Sequence, residues 1–524
     1  MPKVLIADDL SPAAAEIFRA RGIDADVKIG LSKAELIEII PEYDGLAVRS
    51  ATKADKDVIA AAKNLKIIGR AGIGVDNIDV PAATARGIVV MNTPFGNSIT
   101  TAEHALALMF AAARQLAAAD ASTRAGKWEK NRFMGRELYA KTLGLIGCGN
   151  IGGIVADRAI GLKMKVAAYD PFLSPERAIA IGVEKLELDE LLARADVISL
   201  HVPLTDKTRN ILSRENLAKT KPGVIIINAA RGGLVDEAAL LEALQSGHAA
   251  AAGFDVFSVE PAKENPLFGA PNFIATPHLG ASTREAQENV ALQVAEQMSD
   301  YLISGAVTNA LNMASISVEE APRLRPFAAL ADKLGAFAGQ IVEAGIDEVE
   351  IEYEGVVAGL NIKPLTASLL AGLLRPLLQD VNVVSAPALL KQRGVPLTES
   401  TRDASPIYDS LIRVKVKTGG GWRTLAGAVI AGAPKIAEVK GMALDAPFHP
   451  AMLYTNNSDR PGFIGALGTL LGEAGINIAT FHLGREREGG EAIALVGLDQ
   501  VVDEATLARI KALAQVRYAK LLRF

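Results

Sequence analysis

His278, Glu260 and Arg231 are the residues of this chain best suited, together, to move a proton and hold an anion. An imidazole titrates near neutrality, which makes His278 a candidate base for a hydroxyl proton. Glu260 can hold the other ring nitrogen and raise its basicity. The planar fork of Arg231 suits bidentate recognition of a carboxylate. Oxidation of a secondary alcohol beside a carboxylate requires a base, a fixed cation and a nicotinamide to take the hydride. By residue type alone, a histidine satisfied structurally in the turn Thr276-Pro277-His278 is the more common case.

The nicotinamide has its own signature. Thr142–Gly152 places G-x-G-x-x-G after a strand and at the start of a helix. Gly147 allows the tight turn, Gly149 lets a pyrophosphate approach the backbone, and Gly152 permits close helix–strand packing. Asp170 ends the next strand, 18 residues past Gly152. Its carboxylate can accept from a ribose 2′-hydroxyl and would repel a 2′-phosphate, which favours NAD over NADP. A plain turn at Asp170-Pro171 is the competing reading. Polar residues recur at the strand ends of this region: Asp170, His201, Arg231, Asp255 and His278. Ligands bind outside the carboxyl ends of strands in doubly wound sheets. His201 is assigned to packing.

Two βα series must position these residues. The first has strand candidates Val4–Ala7, Gly45–Val48, Lys66–Ile68 and Ile88–Met91, with a helix over Ser11–Arg21 where Ser11 can cap and Pro12 sits first. The second runs through Thr142–Ile146, Lys165–Tyr169, Asp196–His201, Gly223–Asn228, Gly253–Val256 and Asn272–Thr276, and includes a helix from the Asp236 cap to Gly247. A long helix from Ser282 returns toward the first lobe. Alternation of this kind predicts an α/β fold of two doubly wound parallel-sheet lobes. Beyond them, Glu348–Glu354 and Leu411–Lys417 alternate apolar and charged residues as half-exposed strands, and Gly419–Gly421 reads as a turn, in an α+β accessory domain. The last segment reads strand, helix, strand, strand, helix, strand over Met452–Asn456, Pro461–Ala474, Asn477–Leu483, Ala492–Leu498, Asp503–Leu513 and Arg517–Phe524, a split βαβ module.

The chain has 524 residues, enough for three or four domains at roughly 100–200 residues each. A net charge of −5 lacks the basic excess of nucleic-acid binders. One cysteine, Cys148, excludes a disulfide within the chain and fits a reducing compartment. The N-terminus has no apolar run with a cleavage site, and stretches such as His104–Ala113 are too short to span a bilayer. A cytoplasmic protein without nucleic-acid or membrane partners, and without a bound metal, is expected.

From Val4 to about Ala310 the sequence resembles the D-2-hydroxyacid dehydrogenase family, through GRAGIGVDNID (69–79), MNTPFGNS (91–98), LIGCGNIG (145–152), NAARGGLVDE (228–237), GFDVFSVEP (253–261) and TPHLGAST (276–283). The resemblance implies a flavodoxin-like substrate lobe at 1–97, completed by 285–311, and a Rossmann NAD lobe at 98–284. It implies Arg231, Glu260 and His278 as catalytic residues. The implied NAD contacts fall on Asn150, Ile151, Asp170, Ala229, Ala230, Arg231, Asp255, His278, Gly280 and Ala281. Arg49, Ser50, Arg70, Gly72, Gly74 and Asn97, with Arg231 and His278, match positions that hold a phosphorylated substrate. Arg49 alone reads as readily as a surface arginine. The stretch 126–132 resembles the family's dimer arm, with Lys130 or Arg132 reaching a neighbouring site.

Residues 312–446 resemble the intervening, allosteric substrate-binding type of domain of the longer family members, and 450–524 resembles a ferredoxin-like ACT domain, which binds amino acids. Asn457, Asp459 and Asn477 match effector positions, although Asp459 also fits as a helix cap. The order implies members that oxidise 3-phosphoglycerate with NAD in serine synthesis, L-serine as effector, and a homodimer or homotetramer. Alternatives are a relative acting on another hydroxy acid or reducing 2-oxoglutarate, and an NAD(H)-sensing binding protein of the corepressor type.

Overall fold

The computed structural model describes every residue except Pro406 and Gly420. The first sheet is wholly parallel, in the order Asp24–Val27, Lys3–Ile6, Gly45–Val48, Ile67–Arg70, Val89–Asn92. Its central strands are buried on both faces, as helices packed on each side require. The edge strand Asp24–Val27 is not anticipated by the sequence: it is short, carries two aspartates and buries only Ala25. Pro12 opens the first helix as expected, but Ser11 makes no side-chain cap bond.

The second sheet is also parallel, in the order Phe273–Ala275, Ala249–Phe254, Val224–Asn228, Val197–Leu200, Thr142–Ile146, Lys165–Tyr169, Glu184–Lys185. The strand order reverses beside Thr142–Ile146, where doubly wound sheets leave a crevice at their carboxyl ends. Asp236 caps the helix Glu237–Ser246 by accepting from Ala239 N–H, and Gly247 ends it with φ 78°. The long helix Arg284–Ser304 starts from Thr283, not Ser282: the Thr283 hydroxyl accepts from Ala286 N–H. This helix lies against Pro12–Ala20 and the first sheet, burying Val290, Val294 and Met298. Leu311 N–H then donates to Val90 O at 2.8 Å, returning the chain to that sheet.

A six-stranded sheet follows, in the order Leu397–Arg402, Glu348–Gly355, Ser410–Thr418, Gly421–Ile430, Ala433–Val439, Met442–Pro447. All neighbours are antiparallel except the first pair. Val349, Ile351 and Tyr353 are buried, while Glu348, Glu350 and Glu352 stand opposite Lys417, Lys415 and Arg413. This is the alternation legible in the sequence. Gly420, of the expected turn at 419–421, lies outside the described residues. Helices Ala321–Gln340 and Lys363–Leu374 cover the apolar face and touch at Gly335, where a Cβ would overlap the Leu369 carbonyl.

The last sheet is antiparallel, in the order Ile478–Arg485, Glu491–Leu498, Ala451–Ser458, Val516–Arg523. Its own helices, Phe463–Glu473 and Glu504–Lys511, pack on one face through Leu467, Leu471 and Ile510. Its other face shares a core with helix Ala321–Gln340, where Phe337 meets Tyr454 edge-on at 5.5 Å. Among the described residues no helix is long and apolar enough to cross a membrane.

Candidate active site

The carboxyl ends of the two parallel sheets face a cleft of about 1170 Å³. The second sheet contributes the glycine loop. Gly147 has φ 95°, a conformation that a side chain disfavours. A Cβ on Gly152 would overlap the Gly147 carbonyl, so the helix Asn150–Gly161 seats directly on the turn. Gly149 has open space where its Cβ would stand, leaving the backbone accessible at the helix N-terminus. Asp170 accepts from Cys148 N–H and Phe172 N–H, both at 2.8 Å, which ties the next strand end to the loop. These residues fit a dinucleotide. Asn150, Ile151, Ala229, Ala230, Gly280 and Ala281 line the cleft, whereas Gly147, Gly149, Gly152 and Asp170 are not among its lining residues.

The expected trio converges here. His278 Nδ1 lies 2.7 Å from Glu260 Oε2, and Glu260 Oε1 accepts from Phe257 N–H at 2.9 Å. His278 holds a left-handed backbone (φ 56°), an uncommon conformation for its residue type. The Glu260 hydrogen bond raises the imidazole pKa, against burial that lowers it. Burial in turn pushes the Glu260 carboxyl up, but the bonds from His278 and Phe257 outweigh it and hold it below the usual range. Arg231 stands at the end of Val224–Asn228; its Nη1 donates to Ala230 O at 2.6 Å and its Nε to Asp76 Oδ2 at 3.1 Å.

Asp255 lines the cleft but is fully buried, and both its oxygens are engaged. Oδ1 accepts from Thr276 Oγ1 (2.6 Å) and Leu279 N–H (2.7 Å), and Oδ2 from Gly280 N–H (2.8 Å). His104 Nε2 adds a contact at 3.2 Å. Burial pushes the Asp255 carboxyl up, yet the bonds from His104, Thr276 and Leu279 outweigh it. Its visible work is to fold the turn that presents His278. His201 packs under the glycine loop, where burial pushes its imidazole down to about 4, so the ring is neutral.

The first sheet supplies the opposite wall, with Arg49, Ser50, Arg70, Gly72, Gly74 and Asn97. Buried Asp8 accepts from Arg49 N–H (2.6 Å) and Thr52 Oγ1 (2.6 Å), which sets the loop that carries Arg49. Arg70 Nε donates to Asn77 Oδ1 at 3.1 Å. Burial, then the charge of Arg231, push its guanidinium down to about 10, leaving it protonated near neutrality. Among the described residues neither Arg49 nor Arg70 has a carboxylate partner. Asp8, Asp76 and His104 were not singled out from the sequence. They act through other residues, and the only trace of them is an acidic group at a strand end or a polar residue on an apolar helix.

The expected effector residues do not converge within one chain. Asn457 pairs with Ala492, and Ile478, next to Asn477, pairs with Leu498, six residues along the same strand. That separation is about 20 Å. Asn457 is buried, and Asn477 Nδ2 donates to Asp499 Oδ2 at 2.6 Å. Nor does Asp459 cap a helix: Gly462 holds that place, and Asp459 Oδ2 accepts from Arg485 Nη1 (3.2 Å) and Gly489 N–H (3.1 Å). In the arm, Arg132 is paired with Glu129 while Lys130 is exposed and has no ion-pair partner among the described residues.

Residues 106–280 match the family model of the D-isomer specific 2-hydroxyacid dehydrogenase NAD binding domain. Residues 323–440 match the D-3-phosphoglycerate dehydrogenase intervening domain, and 452–515 the ACT domain. The chain is 44% identical over 513 residues to a D-3-phosphoglycerate dehydrogenase of Archaeoglobus fulgidus, covering 96% of this chain and 97% of that one. A namesake from Bacillus subtilis is 39% identical over 526 residues, covering 100% and 99%. Among solved structures, a glyoxylate reductase from Paecilomyes thermophila is 33% identical with TM-score 0.56, covering 59% of this chain and 98% of that one. A D-lactate dehydrogenase from Aquifex aeolicus complexed with NAD and lactic acid is 26% identical with TM-score 0.53, covering 60% and 100%.

Proposed function

The chain belongs to the D-isomer specific 2-hydroxyacid dehydrogenases, and within them to the D-3-phosphoglycerate dehydrogenases, and we propose that His278, Glu260 and Arg231 carry its reaction. The enzyme is an NAD-dependent oxidoreductase that converts 3-phospho-D-glycerate to 3-phosphohydroxypyruvate, the committed step of L-serine biosynthesis. The observation that carries the residue assignment is the His278–Glu260 pair at 2.7 Å in the same cleft as Arg231.

An ionised Glu260 only accepts, so the proton between the pair sits on Nδ1 and leaves the Nε2 lone pair for substrate. Nε2 takes the 2-hydroxyl proton, and the imidazolium that forms is stabilised by Glu260. Arg231 binds the carboxylate with its remaining N–H groups. Arg49 and Arg70, cations without carboxylate partners, hold the phosphate, with Ser50, Gly72, Gly74 and Asn97 completing that wall. When bound, NAD accepts the hydride released from C2. The glycine loop and the helix start at Asn150 hold its pyrophosphate, and Asp170 receives the ribose hydroxyls.

Serine is the proposed inhibitor at the C-terminal domain. Because Asn477 is far from Asn457 and Asp459 in one chain, a site using all three needs two copies. The enzyme is proposed to work as a cytoplasmic homodimer or homotetramer, and exposed Trp128 in the arm and Met134 just beyond it support an interface there. A panel of 3-phosphohydroxypyruvate, 2-oxoglutarate and glyoxylate, each with NADH and NADPH, tests the reading. The highest kcat/KM is expected for 3-phosphohydroxypyruvate with NADH; preference for another acid would reject the substrate.

A further inference from the structure

Arg231 is held from two sides by different lobes. On its own lobe the Asn228 side chain fixes its carbonyl (2.9 Å), and Ala230 O accepts from Nη1. From the first lobe, Asp76 Oδ2 accepts from Nε at 3.1 Å. Gly74, two residues before Asp76, lies so close that a Cβ there would overlap Arg231 Nη2. Asp76 and Gly74 belong to the loop after Ile67–Arg70 of the first sheet, whereas Arg231 follows Val224–Asn228 of the second. The Asp76 side chain is 75% exposed, so the pair adds little to the stability of the fold. A guanidinium has five N–H donors in one plane. With one spent on each side, the plane is fixed and the Nη2 end stays free of hydrogen bonds among the described residues.

We propose that Asp76 is a positioning residue: reaching across from the first lobe, it orients the Arg231 guanidinium, so that the carboxylate anchor is completed by both lobes. The inference rests on the reading of Arg231 as that anchor. Asp76 engages Nε through a single oxygen and leaves the opposite end of the fork for a 2-hydroxy or 2-oxo acid. A guanidinium oriented across the cleft contributes to binding the reacting acid. Because the effect passes through the carboxylate, it is independent of the substrate phosphate.

The test is steady-state kinetics of Asp76→Ala, Asp76→Asn and Gly74→Ala with NADH and two acids, 3-phosphohydroxypyruvate and unphosphorylated hydroxypyruvate, with nucleotide binding and thermal unfolding measured in parallel. Asp76→Ala is expected to lower kcat/KM about 2- to 5-fold, the worth of one largely exposed ion pair. The loss should be equal for the two acids, with NADH affinity and unfolding temperature unchanged. Asp76→Asn, whose amide oxygen still accepts from Nε, should recover most of it. Gly74→Ala should lower kcat/KM for the unphosphorylated acid as well with Asp76 intact, because the new methyl displaces Nη2. Unchanged kcat/KM in Asp76→Ala overturns the inference. So does a lower KM, which would make Asp76 a competitor of the substrate, and so does an Asp76→Asn variant no better than Asp76→Ala. If the wild type prefers another 2-oxo acid, only the substrate assignment falls, and the Asp76→Ala loss is then expected on that acid.

Discussion

Glu260 sets what the His278 ring can do at a given pH. The hydrogen bond at 2.7 Å raises the imidazole pKa; with His278 as the proposed base, oxidation uses the neutral ring and is expected to gain as pH rises through that raised value. Reduction needs the protonated ring and falls over the same range. Glu260→Gln removes the raising interaction, and the limb of the kcat/KM profile for oxidation should move to lower pH; a profile in place would separate Glu260 from His278. The same shift has a stability consequence. A folded-state pKa above the unfolded one stabilises fully below the unfolded value, and the contribution is lost as pH rises through the folded value. At this scale the sequence was informative where chemistry dictates residue type, as for His278, Glu260 and Arg231. It was silent on Asp8, Asp76 and His104, which matter only through contacts 41 to 155 residues away in the chain or across a helix–turn contact.

Elements were legible in proportion to their burial. Thr142–Ile146 and Lys165–Tyr169 fall where apolar runs place them, because strands covered on both faces must be apolar throughout. Asp24–Val27 and Glu184–Lys185 escape that logic: they are edge strands, exposed and charged, and their pairing comes from the neighbouring strand. Leu397–Arg402 is likewise an edge strand with a polar sequence. The Ala321–Gln340 and Lys363–Leu374 pair depends on a close approach at Gly335, next to the Leu369 carbonyl. Gly335→Val should therefore force the helices apart and cost about 1–3 kcal/mol, read as a lower midpoint in urea unfolding. An unchanged midpoint would show that the helices can separate freely.

At the scale of the whole molecule, two parallel sheets meet at one cleft, and the terminal sheet shares its core with the helix Ala321–Gln340. The domain order could be read from motif spacing, but the partition of effector residues could not. Strand register, which the sequence does not print, puts Asn477 at one end of the sheet and Asn457 at the other. Serine inhibition is therefore expected to require association: titrating serine should inhibit the oligomer, and Asn477→Ala should abolish the response. Flat activity across millimolar serine would remove the regulatory proposal and leave the catalytic one standing. The catalytic claim meets its most direct test in NADH production from 3-phosphoglycerate by wild type and His278→Ala, with NAD binding measured alongside. Robust turnover is expected of the wild type, and a fall of about 10²- to 10⁴-fold in the variant with NAD affinity nearly intact. Undiminished turnover in His278→Ala would contradict that claim.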